Sequence, residues 1–84
     1  MDIQQNTQLM NKETMVFGQL TDGSVYVGDS SYHNMMMENE EVERFLLVQV
    51  DDFDYIMDSC AKGVLDHHMI IKIIDDSPAT VHNN

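Results

Sequence analysis

Arg44-Phe45-Leu46-Leu47-Val48-Gln49-Val50 runs without a break into Asp51-Asp52-Phe53-Asp54-Tyr55-Ile56-Met57-Asp58, and the reading of this junction decides the fold. The first half is apolar at almost every position. That fits a strand buried on both faces, or buried on one face and paired at its centre. The second half sets four aspartates among four large apolar residues, and there the apolar period lengthens toward 3.6. Phe53, Ile56, Met57 and Cys60 fall at i, i+3, i+4 and i+7, with Asp51 or Asp52 as N-cap, Lys62 near the end and Gly63 just past it. These are the start and stop signals of a short amphipathic helix. Tyr55 lies off its apolar stripe, beside Asp51, Asp58 and Ser59.

Upstream, Thr14-Met15-Val16-Phe17-Gly18-Gln19-Leu20 and Ser24-Val25-Tyr26-Val27-Gly28 are two β-prone runs joined by Thr21-Asp22-Gly23. Asp-Gly between such runs predicts a hairpin whose two central turn residues both take positive φ. Gly18 and Gly28 mark places where a sheet bulges or bends as it curls. Asp29-Ser30-Ser31 is turn material. Met35-Met36-Met37 shows neither period and is expected as a third strand, with Met35 or Met37 available for contact if the run is not wholly core filling. Glu38-Asn39-Glu40-Glu41-Val42-Glu43 reads as a solvated acidic connection.

Downstream, the β-branched run from His67 or His68 through Met69-Ile70-Ile71-Lys72-Ile73-Ile74 is expected to be the last strand, ended by Asp75-Asp76-Ser77-Pro78. The domain organisation expected is a polar arm over 1–13, one compact domain over 14–76 and a loose tail over 77–84. The fold class is α+β and mostly β: a small curled antiparallel sheet or closed barrel of four or five strands with one short helix.

Composition narrows the function. A chain of 84 residues makes one domain with a small core, for which homodimerisation is a natural remedy. Fifteen acidic residues against four basic ones give a net charge of -11, a field that repels nucleic-acid backbones and favours basic protein surfaces. No stretch approaches the roughly 20 apolar residues of a membrane span, and the start lacks the pattern of a secretory signal. A lone cysteine, Cys60, fits a reducing compartment and the cytoplasm.

His67 and His68 raise the question of a metal-dependent hydrolase, but neighbouring residues on a strand face opposite ways, and paired Cys/His spacings are absent. Cys60 falls on an apolar stripe, where a thiol behaves as a small hydrophobe. The carboxylates read as exposed, without the burial that tunes an acid–base pair. No phosphate loop or nucleophile motif occurs, so neither catalysis, a cofactor nor a metal is expected. What remains is the acid itself. Nine acidic residues lie between Asp29 and Asp58 with Arg44 the only cation among them. The candidate partner-binding residues are Glu40, Glu41, Glu43, Asp51, Asp52, Asp54, Tyr55 and Asp58. On a helix Asp51, Asp54 and Asp58 share one side, and with Glu38 to Glu43 extending the row the spacing would imitate DNA phosphates. The competing reading is a solvated face serving solubility.

Leu20-Thr21-Asp22-Gly23-Ser24-Val25-Tyr26-Val27-Gly28, continued loosely by Tyr32 and Met37, resembles the first conserved segment of Sm-like proteins. That resemblance implies a small five-stranded barrel forming rings, an oligomeric scaffold. The family's RNA-binding positions are not carried over: His33 follows Tyr32, Glu38 follows Met37, and Asp51-Asp52 stand where the family has Arg-Gly. In size, charge and lack of catalytic motif the chain also resembles the small acidic inhibitors that phages make against host defences, such as anti-restriction and anti-CRISPR proteins. That implies a host protein that handles nucleic acid as the partner.

Overall fold

The computed structural model of the chain describes residues 12–83. Its elements run β1 (Glu13–Leu20), β2 (Val25–Gly28), α1 (Ser30–Asn39), β3 (Val42–Val50), α2 (Phe53–Ala61), α3 (His67–Asp76) and β4 (Val81–His82). The fold is α+β, an antiparallel four-stranded sheet of order β2-β1-β3-β4 with three helices. The sheet is open, with β2 and β4 at its edges, and does not close into a barrel.

The hairpin forms where Asp22-Gly23 places it, but through a different turn. Leu20 N–H donates to the Ser24 carbonyl at 2.8 Å and Gly23 N–H to the Leu20 carbonyl at 3.0 Å. Within the turn only Gly23 takes positive φ, at 97°, and no described non-glycine residue does. The loop is thus three residues long, with glycine alone in the left-handed conformation. Asp22 is spared that conformation and instead accepts the Ser24 N–H on its carboxylate at 2.9 Å.

β1 is the centre of the sheet, paired with β2 on one side and along its whole length with β3 on the other. Alternation along it makes two cores. Met15 and Phe17 join Leu46, Ile70 and Ile74 on one face, under α2 and α3; Val16 joins Tyr26 and Val42 on the other, with Met36 of α1 against them. The Arg44–Val50 run is therefore a strand buried mainly on one face: Leu46 is buried, whereas Leu47 is 50% exposed.

Two sequence expectations about secondary structure are corrected. His67–Ile74 is not a strand but most of α3. Asp66 caps it by accepting the Met69 N–H at 3.1 Å, and Ile70 and Ile74, at i and i+4, are buried on one face. β-branched propensity is a weak preference, and here it is overridden by the burial of Ile70 and Ile74 against Met15, Phe17 and Leu46. Met35-Met36-Met37 is likewise helical, in α1, because Asp29 caps that helix on the Tyr32 N–H at 2.8 Å and methionine is a good helix former. Met36 packs inward while Met35 and Met37 stay exposed. The expected single helix, α2, forms with Asp52 as N-cap and Gly63 at φ 78° beyond its end.

The tail expected over 77–84 is held in place as far as it is described. Val81–His82 pairs with Phe45 and Arg44, Asn83 N–H donates to the Glu43 carbonyl at 2.8 Å, and Thr80 Oγ1 donates to the Ile74 carbonyl at 2.6 Å. The pairing of Val81–His82 and the Asn83–Glu43 bond satisfy part of the outer edge of β3, whose groups would otherwise face water. Most of the polar arm expected over 1–13 lies outside the described residues; Glu13 opens β1 and Lys12 ion-pairs with Asp51.

Candidate partner-binding surface

The candidate acids fall into two groups at opposite ends of β3. Glu40 and Glu41 lie in the short connection from α1 to β3, and the Thr21 N–H donates to the Glu41 carbonyl at 3.0 Å, docking this connection on the hairpin turn. A shallow depression of about 450 Å³ opens there, lined by Leu20, Thr21, Asp22, Glu38, Asn39, Glu40 and Glu41. Glu43 follows at the start of β3. Asp51 and Asp52 come after its last residue, roughly 25–30 Å away at about 3.3 Å per residue. Asp54 and Asp58 continue this second group along α2. The structure therefore does not join the eight residues into one row. It brings Glu40 and Glu41 together with Asp22 and Glu38 instead.

Asp22 and Glu38 were not among the candidates. Asp22 reads locally as a turn residue and Glu38 as the start of a solvated acidic connection; their convergence comes with the Thr21–Glu41 bond, a tertiary contact with no signal in the sequence. The Asp22 carboxyl is held below the usual carboxylate range chiefly by the Ser24 backbone N–H it accepts.

The cations are all engaged. Lys12 pairs with Asp51 at 2.8 Å, Arg44 with Asp75, Lys62 with Asp58 at 3.0 Å and Lys72 with Asp76 at 3.2 Å. These four are every lysine and arginine in the chain. Asp51 and Asp58 are thus partly neutralised. Asp22, Asp29 and Asp66 accept backbone N–H groups. Among the described residues Glu38, Glu40, Glu41, Glu43, Asp52 and Asp54 make no side-chain ion pair or hydrogen bond, and their charges project an uncompensated negative field.

Tyr55 stands 72% exposed on α2, at the Asp51 end, and so is separated from the hairpin depression. At the hairpin end the nearest apolar side chain is Leu20, which lines the depression.

Behind the acidic connection sits a small polar core. The Tyr26 hydroxyl and His33 Nδ1 share a buried hydrogen bond of 2.7 Å, and the His33 ring packs on Phe45 with centroids 4.5 Å apart. Burial pushes the Tyr26 phenol up to about 12, with Tyr32 adding to the effect, and lowers the His33 pKa. Gly18 lies opposite Tyr26 in register, and its missing side chain is the space the Tyr26 ring occupies. This pair fixes how α1 seats on the sheet, and with it where the Glu38–Glu41 connection leaves the helix.

His67 and His68 occupy the first turn of α3, with ring centroids 5.8 Å apart, so the opposite-faces argument that assumed a strand does not apply to them. Among the described residues no three His, Cys, Asp or Glu side chains converge as a metal site would require. Cys60 is half-buried, and desolvation pushes its thiol up, toward the unreactive form. No helix among the described residues is long and apolar enough to cross a membrane.

Comparison with known proteins adds no relative: no family model, curated protein or solved structure matches the chain.

Proposed function

We propose that this protein is a non-enzymatic, acidic binding protein that inhibits a nucleic-acid-handling protein by occupying its basic surface, in the manner of phage-encoded anti-defence inhibitors. One observation carries the reading: every lysine and arginine of the chain is bound within it, while among the described residues three carboxylates without an ion pair or hydrogen bond, Glu38, Glu40 and Glu41, gather with Asp22 on the hairpin end around Leu20. A solubilising charge has no reason to converge, and like charges brought together cost stability unless something cationic meets them. Leu20 supplies an apolar contact at the centre and the acids supply the rim, an arrangement that gives fast, salt-sensitive association. The partner's own nucleic acid competes for the same cations. Because the acids form two groups and not one row, the surface presents a local cluster and not a phosphate-spaced rail. The protein works in the compartment of that partner, the cytoplasm of the host cell.

The test uses immobilised protein to capture partners from the cell that makes it, at about 50 mM and 500 mM salt. The captured protein is then assayed for nucleic-acid binding with and without this chain. Capture at low salt only, competition with nucleic acid, and loss of both in Glu40→Lys/Glu41→Lys but not in Asp54→Lys/Asp58→Lys are the expected results. Equal capture by the Glu40→Lys/Glu41→Lys variant would sink the assignment of the hairpin end. A partner whose nucleic-acid binding is untouched would sink the inhibitor reading. The second function, an oligomeric Sm-like scaffold with acids serving solubility, would appear as a ring of five to seven subunits in light scattering.

A further inference from the structure

β3 has nine residues and β4 only two, so most of the outer edge of β3 has no partner among the described residues. The register identifies which groups are open. The Leu20–Ser24 bond makes Gly18–Tyr26 and Val16–Gly28 the pairs that exchange bonds across β1 and β2, which turns the N–H and C=O of Met15 and Phe17 toward β3. Their partners Val48 and Leu46 therefore point back to β1, and Phe45, Leu47 and Gln49 point outward. Phe45 is taken by Val81. The N–H and C=O of Leu47 and Gln49 are left, on a strand end with no charge from Phe45 to Val50 and with Leu47 half exposed. Native sheets blunt such edges with charge, proline or a cover, none of which stands here among the described residues.

We propose that Leu46–Val50 pairs antiparallel with the same segment of a second copy about a two-fold axis at Val48, joining two four-stranded sheets into one of eight strands. The axis position is dictated by the fold. Val48 opposite Val48 sets Leu47 against Gln49 of the partner subunit, and the four open groups of each copy are all satisfied by four hydrogen bonds. An axis at Leu47 would set Gln49 against Phe45, whose edge β4 already fills. In the Val48 register β4 of each copy lies beyond the pairing, where the other chain has already turned away after Val50 into α2. The antiparallel sense also brings the Arg44 end of one strand toward the Asp51-Asp52 end of the other, whereas parallel pairing would set acid beside acid. The apolar core face continues across the axis through Leu46, Val48 and Val50. A self-complementary patch of this kind is what a two-fold contact needs.

The whole protein is the sample, measured by sedimentation equilibrium across concentration at about 50 mM and 500 mM salt. A monomer–dimer equilibrium that tightens with salt is expected, because two highly negative bodies repel. This is opposite in sign to the salt effect on the cationic partner, so the two readings fail separately. Gln49→Pro removes an N–H that the dimer uses and the fold does not, and two lost bonds per dimer should weaken association by roughly 30-fold. In a Cys60→Ser background Val48→Cys should cross-link to itself under mild oxidation, since facing residues of a non-hydrogen-bonded pair have Cα atoms about 4.5 Å apart, within disulfide range. Leu47→Cys, offset from its own copy by two residues, should not. Amide exchange at Leu47 and Gln49 should slow as concentration rises. A monomer at every concentration and salt, equal cross-linking at both positions, or concentration-independent protection of these two amides would each overturn the proposal.

Discussion

Gly18→Ala is the sharpest test of how the sheet and α1 are held together. The backbone at Gly18 does not have positive φ, so alanine is conformationally allowed there. The obstacle is steric: a Cβ would overlap Cζ and Cε2 of Tyr26 and lie 2.5 Å from its hydroxyl. The ring must move, and moving it takes the hydroxyl away from His33 Nδ1. Overpacking of this kind costs about 1–3 kcal/mol, and parting a buried hydrogen-bonded pair about 1–3 kcal/mol more. The reduced freedom of the unfolded chain returns about 0.4–1 kcal/mol. A net loss of about 2–4 kcal/mol is expected, a large share of what a domain of this size has. Urea denaturation at neutral pH measures it as a lower midpoint at unchanged slope. The cause is isolated by repeating Gly18→Ala in a Tyr26→Ala background, where the clash is gone and the loss should shrink to within about 0.5 kcal/mol of zero. If the loss is the same in both backgrounds, the ring is not the reason for the glycine and the packing argument fails.

Two further predictions concern stability. Burial lowers the His33 pKa below its ordinary 6.5, so above that pH the ring is neutral folded or unfolded and stability is unaffected. Below it the unfolded chain takes a proton that the folded one resists, and stability falls with pH. The urea midpoint of the wild type should therefore drop relative to that of His33→Phe between pH 7 and pH 5, and parallel curves would refute this. Asp29→Ala and Asp66→Ala should each cost about 1 kcal/mol, since both side chains accept an N3 backbone N–H. Asp52→Ala should cost well under half of that, because its side chain makes no cap hydrogen bond; equal losses in the three would refute the cap geometry.

Local chemistry made much of this protein legible in the sequence. Asp-Gly placed the hairpin, the apolar run from Arg44 placed β3, and the i, i+3, i+4, i+7 stripe with Asp52 and Gly63 placed α2. Each depends on turn geometry or periodicity contained in a few neighbouring residues. Charge and composition likewise set the expectation of a cationic partner. Tertiary structure decided the rest. Ile70 and Ile74 carry a weak intrinsic preference for strand and yet lie in a helix. Their state was settled by packing against Met15, Phe17 and Leu46 and by Asp66 capping the helix. Met35 to Met37 followed the cap on Asp29. The acids present the same division. Their number is a property of the chain, but Glu40 and Glu41 meet Asp22 because the Glu41 carbonyl binds the turn, while Asp51 and Asp52 are carried off by the length of β3. Burial and pairing are relations between distant residues, and no local pattern encodes which carboxylates will end on one surface.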